Sequence, residues 1–260
     1  MGAGLRDKVM IITGAGGGLG RVMATQYAGE GALVTIAGRR PDALEETAAG
    51  IDAEVLVVPT DVTDEDQVRR LVAATVERHG RVDVMLNNAA QPGTDRHLWE
   101  QTLENWNATI AVDVTAAMLC TREVLNQSML ERRSGSIVNF SSSAGWNGLP
   151  RKSHYCVAKA GLRTLTKVAA QELGPYGIRV NCVVPGAIDT ELLRNYQRRI
   201  ADEQGVPVEK IRQSSARASA LRKISTPEEV SAVVRFLAAD DSVTITGQSI
   251  SVDSGTFLVG

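Results

Sequence analysis

Cysteine and histidine are scarce, at three each in 260 residues. Cys120, Cys156 and Cys182 lie far apart, so no C-x-x-C pair exists for a metal or a redox couple, and no metal site is expected. An odd count without a disulfide framework suits a reducing cytosol, with the thiols acting as small buried hydrophobes. Excess charge is also missing: the formal net charge is -2, which leaves no basic field for nucleic acid or an anionic membrane surface. No apolar run approaches the ~18 residues of a membrane span. Arg6 and Lys8 ahead of VMIITGAG imitate a signal peptide, but the apolar stretch is short and a glycine loop stands where a cleavage site belongs. A cytoplasmic protein without membrane or nucleic-acid partners is expected. Repeats, low-complexity tracts and linkers are absent too, so residues 1–260 read as one domain.

What is present is an alternation of short apolar runs and amphipathic stretches, the pattern of an α/β fold with a parallel sheet. Strands are predicted at Lys8–Ile12, Ala32–Ala37, Val55–Val58, Val82–Leu86, Ser136–Phe140, Arg179–Val184 and Ser249–Val252. Helices are predicted at Arg21–Gly29, Ala43–Ala49, Val68–His79, Trp106–Asn126, Tyr155–Leu173 and Pro227–Ala239. His79, near a helix end, is expected to ease the helix dipole. Residues 190–222 are polar and interrupt the rhythm, as a lid over a site would.

Between the first strand and helix, Thr13-Gly14-Ala15-Gly16-Gly17-Gly18-Leu19-Gly20 places a glycine turn where free backbone N–H groups can meet a pyrophosphate. The spacing is T-G-x-x-x-G-x-G, through Thr13, Gly14, Gly18 and Gly20, and no frame satisfies G-x-G-x-x-G. An acidic residue at the end of the second strand would bond a ribose 2′-hydroxyl and select NAD; Gly38 stands there, followed by Arg39. A guanidinium without a carboxylate suits the 2′-phosphate of NADP, with NAD as the alternative. Past the third strand, Asp61-Val62 offers a carboxylate for an adenine amine, or else an N-cap for the helix near Asp64, a role also open to Thr63. Asn87 and Asn88 close the fourth strand, where amides can tie neighbouring strands and line a cleft.

Tyr155 and Lys159 are four residues apart, which puts them on one face of a helix. A free tyrosine ionises near pH ~10, and a neighbouring ammonium favours its phenolate and brings it toward working range. Ser142, delivered by the fifth strand to the carboxyl edge of the sheet, can hold a substrate oxygen while the tyrosine moves a proton. His154 is adjacent to the tyrosine but points ~100° away, so a packing or lid contact is expected of it.

TGAGGGLG, Asp61, NNAA, the serine, Tyr155-x-x-x-Lys159 and PGAIDT occur in one order, and together they resemble the short-chain dehydrogenase/reductase family over nearly the whole chain. The resemblance implies a single-domain Rossmann-type doubly wound fold with a seven-stranded parallel sheet in the order 3-2-1-4-5-6-7. It implies hydride exchange between a nicotinamide and a small-molecule alcohol or ketone, in a homotetramer. Tyr155 would be the acid and base, Lys159 would tune it and hold the nicotinamide ribose, and Ser142 would polarise the substrate oxygen, with Ser141 or Ser143 in support. Gly14, Gly18, Leu19 and Gly20 would carry the pyrophosphate. Val62, Asn88 and Ala89 would line the cofactor cleft, and Pro185, Gly186, Ile188 and Thr190 would meet the carboxamide. Asp113 stands where the family usually has asparagine; it can accept from the same relay water, pair with Lys159 and change the pH profile, or mark reduced activity. Ser254 stands where glycine is commoner, a structural difference.

The substrate wall is expected from Ala90–Leu98, Ala144–Ser153 and the lid. It mixes Trp146 and Leu149 with Arg151, Lys152, Arg194, Arg198 and Arg199, which fit either an anionic substrate or solvated helix faces. Reduction of a β-ketoacyl thioester and a cofactor-binding inactive homologue are the other readings of the same motifs. The stripe Val114-Ala117-Met118 and the helix from Tyr155 fit an oligomer interface or core equally.

Overall fold

A computed structural model describes residues 4–258, so the outermost ends of the expected 1–260 unit lie outside the described residues. The strands are β1 (Val9–Thr13), β2 (Leu33–Gly38), β3 (Val55–Pro59), β4 (Val84–Asn87), β5 (Gly135–Phe140), β6 (Ile178–Pro185) and β7 (Ser249–Val252). All pair in parallel, in the order β3-β2-β1-β4-β5-β6-β7. This is the expected doubly wound, Rossmann-type topology.

Continuous apolar runs such as VMIIT suit strands covered on both faces. Successive side chains point to opposite faces, and the core divides accordingly. Met10 and Ile12 lie on one side with Met23, Tyr27, Val234 and Leu237, from α1 (Gly18–Gly29) and α10 (Pro227–Ala238). Ile11, Met85 and Ile137 lie on the other, with Val68 and Leu71 of α3 (Glu65–His79) and residues from the long helices that follow β4 and β5. α2 (Pro41–Ala49) joins β2 to β3, with Leu44 in the first core.

The predicted helix 106–126 is longer and irregular. It runs as α4 (Leu103–Ile110), a π turn (Ala111–Thr115), α5 (Ala116–Val124), a second π turn (Leu125–Met129) and a short α6 (Leu130–Arg132). A π turn carries an extra residue and concentrates at functional positions. Here the first one contains buried Asp113. α7 (Ser153–Leu173) begins two residues before Tyr155, so the tyrosine sits in the first turn rather than at the opening. Residues 190–222 carry two polar helices, α8 (Glu191–Gln204) and α9 (Val208–Arg217), which pack on each other.

The strand order reverses between β1 and β4, and the carboxyl ends of these strands frame the crevice where ligands bind in such sheets. Among the described residues, no helix is long and apolar enough to cross a membrane.

Candidate active site

The glycine turn and the end of β4 hold each other in place. The Asn88 side-chain amide donates to the Thr13 carbonyl at 2.8 Å and to the Gly14 carbonyl at 3.3 Å, while Ala89 N–H donates to the Thr13 hydroxyl at 3.1 Å. Gly14 sits at φ +68. A Cβ on Gly20 would fall 2.4 Å from the Gly14 carbonyl oxygen, so only glycine permits the close approach. α1 then starts at Gly18 with no side-chain cap and no acidic residue in its first turn. Its first N–H groups, on Gly18, Leu19 and Gly20, have no intrahelical acceptor and form an anion-binding end. Thr190 approaches from the other side, its methyl 3.7 Å from a Cβ placed on Gly18. The backbone donors and open glycine surface therefore fit a pyrophosphate. The Leu19 side chain packs on the core, as does buried Val62, which leaves their backbones for any ligand contact.

At the end of β2, Arg39 is exposed and has no ion pair or hydrogen bond among the described residues. Asp61 is occupied locally: one carboxylate oxygen accepts from Thr63 N–H at 3.0 Å and from the Thr63 hydroxyl at 2.7 Å. Neither residue caps α3. Asp64 does, accepting from Gln67 N–H at 3.0 Å, because it alone stands at the Ncap position with extended backbone. His79 lies in the last turn of α3, as expected, and burial with the neighbouring Arg78 holds its pKa below the ordinary value.

The candidate catalytic residues gather at the carboxyl edge of β5. Lys159 Nζ donates to the Phe140 carbonyl at 2.9 Å, lies 3.2 Å from Asp113 Oδ2, and stands 5.5 Å from the centre of the Tyr155 ring. Both members of the ion pair are buried, with side-chain exposures of 3% and 0%. Burial opposes the ammonium, but the charge of Asp113, reinforced by Tyr155, outweighs it and raises the Lys159 pKa above its ordinary value. Asp113 Oδ1 accepts from Gln91 N–H at 2.7 Å, whereas Oδ2 faces the ammonium without hydrogen-bond alignment. The enclosed carboxylate contacts Lys159 and the Gln91 backbone and not open solvent. Tyr155 and Ser142 are half-buried. Ser142 Oγ accepts from Ala144 N–H at 3.2 Å, which leaves its proton free to donate. Ser141 gives no support there: its hydroxyl donates to the Lys159 carbonyl at 2.7 Å and ties β5 to α7.

Asn87 donates to Asn139 at 2.8 Å and so bridges β4 and β5, as an amide at that strand end can. The PGAIDT segment closes against β7. Gly186 leaves no room for a Cβ, which would fall 2.9 Å from that of Asp253. Ile188 bridges to Ser225, and Thr190 caps α8 by accepting from Leu193 N–H at 3.4 Å. Pro185 ends β6 beside Val252. Ser254 adopts φ +55, where a side chain is strained, and its hydroxyl meets that of Ser225 at 3.0 Å.

His154 is buried between the Gln101 amide, 2.7 Å from Nδ1, and the Pro92 carbonyl, 3.0 Å from Nε2. It anchors the 91–102 loop to α7. Most of the basic wall is internally neutralised. Lys152 pairs with Asp95 at 2.7 Å and Arg199 with the same carboxylate at 3.0 Å, while Arg194 and Arg212 pair with Asp189 at 3.3 and 2.7 Å. Arg198 bonds the Asn195 side chain at 2.7 Å, and Arg151 remains exposed at φ +69. The anionic-substrate reading therefore loses Lys152, Arg194 and Arg199. Asp95 and the Phe140 carbonyl were not foreseen. Asp95 was detectable as the only acid in the 90–98 wall; a backbone carbonyl leaves no trace in sequence. Among the described residues no cluster of three His, Cys, Asp or Glu side chains could hold a metal ion.

A family model described as Enoyl-(Acyl carrier protein) reductase matches residues 14–256. The chain is 37% identical over 254 residues to the 3-oxoacyl-[acyl-carrier-protein] reductase FabG of Thermotoga maritima, covering 96% of this chain and 98% of that protein. It is 34% identical to the levodione reductase of Leifsonia aquatica, over 96% and 94% of the two chains. It is also 34% identical to the meso-2,3-butanediol dehydrogenase of Serratia marcescens, over 96% and 94%. A crystal structure of levodione reductase superposes with a TM-score of 0.91 at 34% identity, covering 96% of this chain and 97% of the other.

Proposed function

Because the chain belongs to the short-chain dehydrogenase/reductase family, we propose that it exchanges a hydride between a nicotinamide dinucleotide and a secondary alcohol or ketone, with Tyr155 moving the proton. The observation that carries this reading is the buried Lys159 ammonium, fixed by the Phe140 carbonyl and Asp113 beside the Tyr155 ring. When bound, the nicotinamide supplies the hydride in reduction and takes it in oxidation. In reduction the Tyr155 hydroxyl gives its proton to the substrate oxygen; in oxidation the phenolate removes that proton. Lys159 stabilises the phenolate by its charge, and the Ser142 hydroxyl donates to the substrate oxygen and orients it. Gly14, Gly18, Leu19 and Gly20 would hold the pyrophosphate; Asp61, Val62, Asn88 and Ala89 the adenosine side and cleft floor; Pro185, Gly186, Ile188 and Thr190 the carboxamide.

NADP is the preferred cofactor in this reading. The support is Arg39, exposed and without a carboxylate partner among the described residues at the end of β2. Residues 190–222 act as the lid of a single domain, clipped to the cleft through Asp95 and Asp189. The protein works in the cytoplasm as a homotetramer whose contacts include exposed Met118, Val157 and Val168, and a monomer mass by light scattering would remove that part. A β-ketoacyl thioester is the second substrate class, favoured by the name of the Thermotoga relative. The internal pairing of Lys152, Arg194 and Arg199 speaks against an acidic carrier docking on them.

The test is a panel of secondary alcohols, ketones and β-ketoacyl thioesters assayed with each cofactor. Turnover of small ketones with kcat/KM at least ~10-fold higher for NADPH, lost on Arg39→Ala, is expected for a phosphate-binding guanidinium. A clear preference for NADH overturns the Arg39 reading, and cofactor binding without turnover of any substrate leaves an inactive homologue.

A further inference from the structure

The Lys159–Asp113 contact is a closed charge pair placed behind the tyrosine. The two groups come from different elements, α7 and the π turn of the α4–α5 helix, and are held independently: Lys159 by the Phe140 carbonyl, Asp113 by Gln91 N–H at 2.7 Å. Neither side chain is open to solvent, so bulk water and salt screen the pair little. Little else ionisable surrounds it. From β6 the Cys182 thiol faces the ammonium, and burial pushes it up to about 11, so it is neutral at working pH. β5 and the Ser143–Gly145 turn bear no titratable side chain, and Glu104 of α4 is exposed to solvent. On α7 itself, His154 is sealed between Gln101 and Pro92, and Arg163 stacks on the Trp146 ring and donates to the Gly145 carbonyl at 2.8 Å. Asp113 is thus the one carboxylate in contact with the lysine among the described residues.

We propose that Asp113 sets the pH at which Tyr155 works: it locks Lys159 in the charged form and, as its countercharge, cancels part of the pull that the ammonium exerts on the phenol. The lysine stays a fixed cation across the whole working range. The tyrosine beside it feels a partly neutralised pair rather than a bare charge, and gives up its proton at higher pH than it would next to the ammonium alone. This deepens the proposed function and rests on Tyr155 being the proton carrier.

Asp113→Asn removes the charge, keeps the shape and keeps an oxygen for Gln91 N–H; Asp113→Ser removes the charge by a second route, with a smaller side chain that gives up the Gln91 contact. The first readout is the pH dependence of kcat/KM for alcohol oxidation. In both variants the pH of half-maximal rate should move down by about one unit, the size expected for losing one nearby charge, with roughly tenfold faster oxidation on the acid limb. The second readout needs no turnover. The tyrosinate absorbance that Tyr155→Phe removes is titrated with and without the Asp113 substitution, and its midpoint should move the same way. An unchanged or more alkaline midpoint in the folded variants overturns the inference. If Tyr155→Phe leaves turnover intact, the proposed chemistry fails while the absorbance titration still decides the role of Asp113. If turnover depends on Tyr155 and neither readout moves, the chemistry stands and the inference falls.

Discussion

Two carboxylates, Asp113 and Asp189, meet their cations in different surroundings. Asp113 and Lys159 are sealed in the interior, whereas Asp189 holds Arg212 and Arg194 with side-chain exposures of 23%, 40% and 48%. The first pair sits in a rigid frame of helix and sheet, where an uncompensated charge has no water to turn to. The second joins the PGAIDT segment to α8 and α9 at the rim, where either partner can be solvated when the contact opens. Interior pairing keeps a charge fixed, whereas rim pairing can open and close at little cost. Asp95, 9% exposed and shared by Lys152 and Arg199, lies between the two cases and connects them. Lys152 is three residues before Tyr155, and Arg199 belongs to α8.

Substitutions that strip one partner should separate these environments. The largest effect belongs to Asp113→Leu, which leaves the Lys159 ammonium buried with only the Phe140 carbonyl; a loss of about 3–5 kcal/mol in urea unfolding is expected. A loss below 1 kcal/mol would mean that water reaches the lysine and that the pair is not interior in effect. Asp95→Asn should cost less, about 1 kcal/mol, because Arg199 is half-exposed and solvent screens the contact. Its pH signature is directional. Burial works against the Asp95 charge, but hydrogen bonds from Lys152 and Arg199 prevail and hold the carboxyl below the usual carboxylate range. That stabilisation is complete above the unfolded value near ~4 and disappears as pH falls through the lower folded one, so wild type and variant should converge in acid. Asp95→Asn should also raise KM more than it changes kcat, since it loosens α8 without touching the Lys159 pair. An equal fall in kcat would place Asp95 in the chemistry.

The interior was far more legible in the sequence than the rim. Buried strands declare themselves by local apolar runs, the glycine turn by backbone demands at Gly14 and Gly20, and Tyr155 with Lys159 by a four-residue spacing that any helix converts into one face. The family resemblance supplied the sheet order and the residue roles. What escaped depends on partners distant in sequence. Asp95 to Arg199 spans 104 residues, so the cations of the wall looked free until the fold brought their acids to them. Ser141 was a candidate support for Ser142 until its hydroxyl was found donating to the Lys159 carbonyl. Asp61, Thr63 and Asp64 are all capping types, and only the backbone at Asp64 decides among them. The π turn at Asp113 has no marker in residue type; it places a carboxylate against the lysine by adding one residue to a helical turn.

The most direct measurement is a single turnover of reduced cofactor with a ketone substrate, followed by stopped-flow absorbance in wild type and Tyr155→Phe. A phenol that supplies the proton predicts a hydride-transfer rate lower by at least ~10³ in the variant, with the cofactor dissociation constant changed less than ~3-fold. A rate within a few-fold of wild type would contradict the account, because the proton would then come from elsewhere and the buried Lys159–Asp113 pair would have no phenol to serve.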